Sequence, residues 1–445
     1  MGRFQWVCTR CGRRHAPERV DYLCPACAPE PAAVPGALSS LGLPGVLRAE
    51  YETAGGFPRD DLGARYLDLL PIDEAGAFPP LPVGPSPLLA PARLRSRLGL
   101  GRLFLKNDTA LPTASLKDRA SSLVVARARE KGVALITTAS TGNAATSLAG
   151  MCAAAGLHAV ILVPAAAPRE KLAQMIHYGA TVCPIEGSYD QAFALCLRAG
   201  ARFGWYNRST AFNPYTIEGK KTVAFEIWEQ LGRTAPDVVV VPVGDGAILA
   251  GVEKGFSDLL RFKRIDRLPR LMAVQAEGSA AIVRAWESGT ERVGDAMGNG
   301  PQGDAPADHA PAAPAADDSV AAGPCATIAD SICVGTPANG AWAVEALRRT
   351  GGRGVRVSDA EILSAMPLLA SHTGVYAEPA AAAPLAGLMR LMRERPEELN
   401  TEATIVLLIT GSGLKDTASA LRAVSVPPAL PLDVDLLGAR VAGRD

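Results

Sequence analysis

From about residue 80 to about residue 270 the chain alternates short apolar runs with longer amphipathic or alanine-rich stretches, and this alternation constrains the fold more than any other feature. Residues 135–139, 159–163, 181–185 and 238–243 read as buried strands, and helical patterns fill the gaps between them. Strands buried on both faces and joined by helices make parallel α/β sheets. A chain of 445 residues, 48% of them hydrophobic, has enough material for two such domains and smaller additions. The pattern stops near Ser288. Through about Gly323 follows a Gly/Pro/Ala/Asp mixture that cannot bury enough apolar surface to offset ordering entropy, so 288–323 reads as a disordered insertion. Helix and strand patterns then return, with 404–409 as a last buried strand, so the insertion interrupts a domain.

Charge and cysteine usage exclude whole classes of function. The 45 basic and 45 acidic residues cancel, which removes the long-range field of a protein that wraps nucleic acid or an anionic membrane. The N-terminus lacks the apolar stretch of a signal peptide, and no uncharged run reaches membrane-spanning length; a cytoplasmic protein without membrane partners is expected. Nine cysteines are too few for a disulfide scaffold at this length. Four of them, Cys8, Cys11, Cys24 and Cys27, form two CxxC motifs that together supply four thiolates to a structural zinc ion, in a ribbon-like segment over residues 1–35. Four thiolates leave no open position for catalysis. Arg10, Arg13, Arg14 and Arg19 make the segment locally basic, but the neutral total charge and the lack of interleaved aromatics favour a docking or interface module over nucleic-acid contact.

Four loops carry candidate chemistry, each where a strand or extended run gives way to a helix, the place where open α/β folds put ligands. In Pro112-Thr113-Ala114-Ser115-Leu116-Lys117-Asp118-Arg119, a lysine stands at a helix entry, where its charge opposes the helix dipole. Burial there, near Arg119, favours the neutral amine that attacks an aldehyde. Ser140-Thr141-Gly142-Asn143 brings small hydroxyls and free amides to a helix start, suited to a carboxylate or phosphate or to plain capping. Gly244-Asp245-Gly246-Ala247-Ile248-Leu249 turns tightly after a very apolar strand and aims amides at a phosphate. Its spacing is neither GxGxxG nor GxxxxGK[ST], which argues against dinucleotides and nucleoside triphosphates. Thr410-Gly411-Ser412-Gly413 repeats the strand-to-glycine-turn pattern.

Together with Asn213-Pro214-Tyr215-Thr216-Ile217-Glu218-Gly219-Lys220-Lys221-Thr222 and Gly374-Val375-Tyr376-Ala377-Glu378-Pro379, these loops give a chain that resembles the threonine synthase family of fold-type II pyridoxal-phosphate enzymes, from about Pro85 to about Thr417. The resemblance implies two parallel-sheet α/β domains with the cofactor in the cleft between them: a large one over 80–119 and 216–425, and a small mobile one over 120–215. It implies that Lys117 holds pyridoxal 5′-phosphate covalently, that Asn143 bonds the ring hydroxyl, and that the backbone of residues 244–249 cradles the phosphate. It further implies that Thr410 meets the pyridine nitrogen, and that Ser140, Thr141 and Gly142, with Asn213, bind an amino-acid substrate. A hydroxyl at the pyridine nitrogen does not force protonation, so the ring is a weaker electron sink, suited to elimination and replacement. The expected reaction converts O-phospho-L-homoserine and water to L-threonine and phosphate, in a homo-oligomer, a dimer by resemblance.

Four departures bear on that expectation. Ala114 and Ala120 stand where the family usually has glycine, Leu116 where it has phenylalanine, and Thr216 where it commonly has an arginine that helps bind the substrate phosphate, a contact a hydroxyl does not readily replace. Arg208, Lys220 and Lys221 are the cations available to compensate. Cysteate-synthase-like replacement, serine or threonine dehydration and diaminopropionate cleavage stand as alternatives within the same chemistry, and a non-catalytic binding paralogue outside it.

Overall fold

The structure, a computed structural model, describes residues 3–28, 42–60, 65–165, 169–289 and 325–442. The chain opens with a small antiparallel sheet: β1 (Phe4–Cys8) lies between β2 (Arg14–His15) and β3 (Leu47–Tyr51). The sheet of the cysteine segment thus takes its third strand from beyond residue 35. The two CxxC turns flank this sheet, and the segment packs on its own chain: Trp6 is fully buried edge-on against Tyr215, and Tyr22 stacks on Phe212 with centroids 4.4 Å apart.

Strands β4 (Leu88–Leu89) and β5 (Leu103–Asn107) begin a six-stranded sheet that the chain then leaves. It builds instead a wholly parallel four-stranded sheet from β6 (Leu135–Ala139), β7 (His158–Pro164), β8 (Thr181–Ile185) and β9 (Tyr206–Asn207), in the order β8-β7-β6-β9. It returns to the first sheet with β10 (Val238–Pro242), β11 (Arg270–Ala276), β12 (Arg353–Val357) and β13 (Ile405–Ile409). The order there is β12-β11-β10-β13-β5-β4, parallel except for β4 at the edge.

The central strands read as unbroken apolar runs because both faces are covered. Along β10, Val239 and Val241 face a core shared with Leu249, Val252 and Phe256, while Val238 and Val240 face another built from Ala380–Ala383 and Leu385. The strands expected at 135–139 and 181–185 have those bounds, the one expected at 159–163 is longer by a residue at each end, and the remaining two are shorter by one; 181–185, expected to be buried, is an edge strand with no buried residue. From residue 290 onward the expected insertion lies outside the described residues, as do residues 29–41 of the N-terminal part. Among the described residues no helix is long and apolar enough to cross a membrane.

Candidate functional site

Both parallel sheets send the carboxyl ends of their strands to one place. Ser140 follows β6, Arg208 follows β9, Gly244 follows β10 and Thr410 follows β13, and the Lys117 loop comes after β5. Backbone hydrogen bonds stitch several of these loops together. Leu116 N donates to Thr410 O at 2.9 Å, Ser412 N to Ala114 O at 3.1 Å, and Glu378 N to Gly411 O at 3.1 Å. Asn143, the first residue of the helix Asn143–Ala155, donates its side-chain amide to Glu378 Oε1 at 2.9 Å and to Ser331 Oγ at 3.3 Å. Asn143, Thr410 and the Lys117 loop, far apart in sequence, therefore share one framework, and Glu378 is the side chain that ties it. Ala114 adopts φ 62°, in the left-handed region that is unstrained for glycine, which accounts physically for the glycine usual at that position in the resembling family.

Lys117 opens the helix Lys117–Glu130 and is only partly exposed. Its amine is held below the ordinary lysine range, first by burial and then by the nearby Arg208 guanidinium, against opposing pulls from Asp245 and Glu378. The sequence expectation named Arg119 as the neighbouring cation, and here the structure corrects it. Two residues along a helix is a turn of about 200°, so Arg119 faces away and is consumed by Asp108 and Glu226.

The glycine turn after β10 is built as expected. Gly246 has φ 87° and leads into the 15-residue helix Ala247–Arg261. A side chain at Gly246 would lie 2.7 Å from Asn339 O, so the turn fits tightly against residue 339. Asp245 accepts from Ala247 N at 3.0 Å and so occupies one of the six amides of the phosphate cradle expected at 244–249. Ser140 accepts from Gly142 N at 3.3 Å, and Ser140, Thr141 and Gly142 are all partly exposed at their helix start.

Asn213 departs from expectation. Its amide donates to Asn207 O at 2.8 Å and accepts from Tyr215 N at 3.0 Å, so the side chain is spent on shaping its own loop. Thr216 is likewise turned inward, donating to Asn213 O at 2.8 Å.

Around this framework, buried polar atoms stand without protein partners: Ser115 Oγ, both side-chain polar atoms of Asn339, and Lys220 Nζ. Such groups are costly unless a ligand or water satisfies them. Their position beside Lys117 and the glycine turn fits a polar, phosphorylated group held by that lysine. Sequence reading missed Asn339, because a lone asparagine before a helix carries no motif.

In the N-terminal segment, the Sγ atoms of Cys8, Cys11, Cys24 and Cys27 lie within 4.8 Å of one another, with Cys11 and Cys24 3.8 Å apart. His15 Nε2 is 3.3 Å from Cys24 Sγ. Cys325 and Cys333, which carry no motif, form a disulfide.

A lysine whose amine is kept available, beside a glycine-turned helix start and at the carboxyl ends of two parallel sheets, defines a cofactor-dependent enzyme. Residues 80–411 match the family model described as pyridoxal-phosphate dependent enzyme, and the chain belongs to that family, among its threonine synthases and their fold-type II relatives. A threonine synthase from Methanocaldococcus jannaschii is 35% identical over 375 residues, 84% of this chain and 85% of that one. One from Halalkalibacterium halodurans is 36% identical over 370 residues, 83% of this chain and 93% of that one. In fold, the chain is similar to diaminopropionate ammonia lyase from Escherichia coli, with a TM-score of 0.61 at 18% identity, covering 77% of this chain and 88% of that one.

Proposed function

We propose that the protein is a threonine synthase that converts O-phospho-L-homoserine and water to L-threonine and phosphate. The observation that carries the reading is the assembly of Lys117, Asn143, Glu378, Thr410 and the 244–249 turn at one site, in a chain whose curated relatives bear that name. Bound to Lys117, pyridoxal 5′-phosphate supplies an electron sink for charge developed at the substrate's Cα.

The protein's own groups do the rest. Lys117, whose amine burial holds below the ordinary lysine range, moves the proton at Cα. Asn143, braced by Glu378, would hold the cofactor's ring hydroxyl, and Thr410 would hold its pyridine nitrogen. The amides of Ile248 and Leu249, with the helix dipole behind them, hold the cofactor phosphate, and the Asn339 side chain lies beside them with unspent donors and acceptors. Ser140, Thr141 and Gly142 take the substrate carboxylate, while Asn213 shapes the wall they face.

In this reading the four cysteines hold a structural zinc ion. A tetrahedral zinc–thiolate site needs sulfur atoms about 3.8 Å apart, as the Cys11–Cys24 separation supplies. Chelation is expected to release one zinc per chain and lower the melting midpoint. A homodimer is part of the same reading. It is supported by exposed apolar residues near the C-terminus, including Leu432, Val434, Leu437 and Val441, and is checked by sedimentation.

The direct test is phosphate release with stoichiometric threonine from O-phospho-L-homoserine, with Lys117→Ala as control. A cofactor-loaded protein that releases neither product rejects this substrate. Because Thr216 offers no cation, such a result turns the search to phosphoserine, serine, threonine and diaminopropionate.

A further inference from the structure

Lys220 is 1% exposed, its ammonium has no hydrogen-bond partner, and it stands next to Lys117. The adjacent Lys221 shows how this fold treats a lysine that is only structural: its ammonium reaches Tyr51 Oη, Glu218 Oε2 and Asp258 Oδ2. Burying a lysine amine without acceptor partners carries a desolvation cost, so an unpaired one beside Lys117 is poised for an incoming acceptor.

The position of Lys220 is fixed from two sides. A side chain at Gly219 would fall 2.2 Å from Arg119 O, so the helix Tyr215–Lys220 lies directly on the Lys117 helix. A side chain at Gly251 would fall 2.8 Å from Lys220 Cβ, so the same helix lies directly on the one that follows the glycine turn. Lys220 is therefore wedged between the element carrying the reactive amine and the element carrying the phosphate turn. Burial, with Lys117 and Arg208 acting in the same direction and Asp245 opposing them, holds its amine well below the ordinary lysine range, so an incoming anion stabilises the proton that makes it a cation. Arg208 is itself fully buried, and donates to Ser121 Oγ at 3.2 Å and to Thr210 Oγ1 at 3.0 Å. One turn before Lys220, Thr216 spends its hydroxyl on its own helix, so the cation on this segment that remains available is Lys220.

We infer that Lys220 is the ligand for the phosphate of the substrate side chain, with Arg208 adding charge from the opposite strand end. This rests on the reading of the site as one for a phosphorylated amino acid. The amides of Ile248 and Leu249 already serve the cofactor's phosphate, so the shared chemistry, a phosphate monoester dianion, has two sources here that the experiment separates.

The experiment uses the cofactor-loaded full chain and calorimetric titration with an ω-phosphono amino acid, compared with the uncharged amino acid of equal chain length. The wild type is expected to favour the phosphono ligand by about tenfold or more, the scale of one charge-assisted hydrogen bond. Lys220→Met, which keeps volume and removes a buried charge, is expected to abolish that preference. It should leave affinity for the uncharged ligand and for the cofactor, read by absorbance, within about twofold. Lys220→Arg is expected to retain part of the preference. Preference undiminished in Lys220→Met overturns the inference, as does no preference in the wild type. Weakened cofactor binding with the preference intact also overturns it, assigning Lys220 to the cofactor's phosphate. A wild type that fails to turn over O-phospho-L-homoserine but shows a Lys220-dependent preference rejects the proposed reaction while upholding this ligand. Turnover with the preference unmoved in Lys220→Met does the reverse.

Discussion

Two buried polar regions meet at the first turn of the Lys117 helix, and they are built in opposite ways. On the Arg119 side, the guanidinium contacts Asp108 at 2.8 Å and Glu226 at 2.5 Å, and Lys106 Nζ reaches Glu226 at 2.6 Å, Ser86 O at 2.6 Å and Gln230 at 2.8 Å. The charges there are paired and bonded on several sides, in a region shut off from water. On the Lys117 side, two lysines and Arg208 face Asp245 and Glu378, while Lys220 Nζ, Ser115 Oγ and the Asn339 amide have no protein partner. A satisfied buried network holds elements in place, whereas an unsatisfied one is held ready for something else. Which of the two a buried charge belongs to is thus a better guide to function than burial itself.

That contrast can be broken or sharpened by substitution. Lys117→Ala is expected to lower turnover by about 1000-fold or more and to abolish the cofactor's visible absorbance, with little change in the urea midpoint. A large loss of stability instead would put Lys117 in the structural region. Glu226→Ala strands two buried cations and should cost about 3–5 kcal/mol in urea unfolding; a cost like that of a surface substitution would erase the distinction.

Acid titration probes the same network. Burial alone would raise the Glu226 carboxyl, but Arg119 and Lys106 outweigh it and hold the group down to about 2, against an ordinary 4.5. A depressed carboxylate contributes stability that is fully present above pH 4.5 and is lost as pH falls through about 2. Wild-type stability should therefore decline across that window, and the decline should shrink in Glu226→Gln.

Lys220→Met should leave stability unchanged or raise it slightly, since it removes a buried amine without hydrogen-bond partners; a loss would mean that Lys220 is a structural group after all. The smallest expected effect is that of Ala114→Gly, which relieves a left-handed alanine and should add about 0.5–1 kcal/mol, read as a rise in melting midpoint.

The sequence by itself determined the central strands, because a parallel strand covered on both faces must be apolar, and β7, β10 and β13 announce themselves that way. It put Lys117 and the glycine turns forward as candidates, since their conformational and chemical demands are met by few residue types at fixed spacing, and it brought the four cysteines forward for the same reason. Tertiary structure alone decided which charges are consumed and which stay free. Arg119 and Lys117 are two residues apart, yet one is buried in a closed network and the other faces the site; Lys220 and Lys221 are neighbours, yet only one is paired. Partners such as Glu226, Glu378 and Asn339 come from distant parts of the chain, and no local pattern records them. Pairing is a property of the contacts that the fold creates, so the difference between a structural cation and a ligand-binding one exists only once the helices have packed.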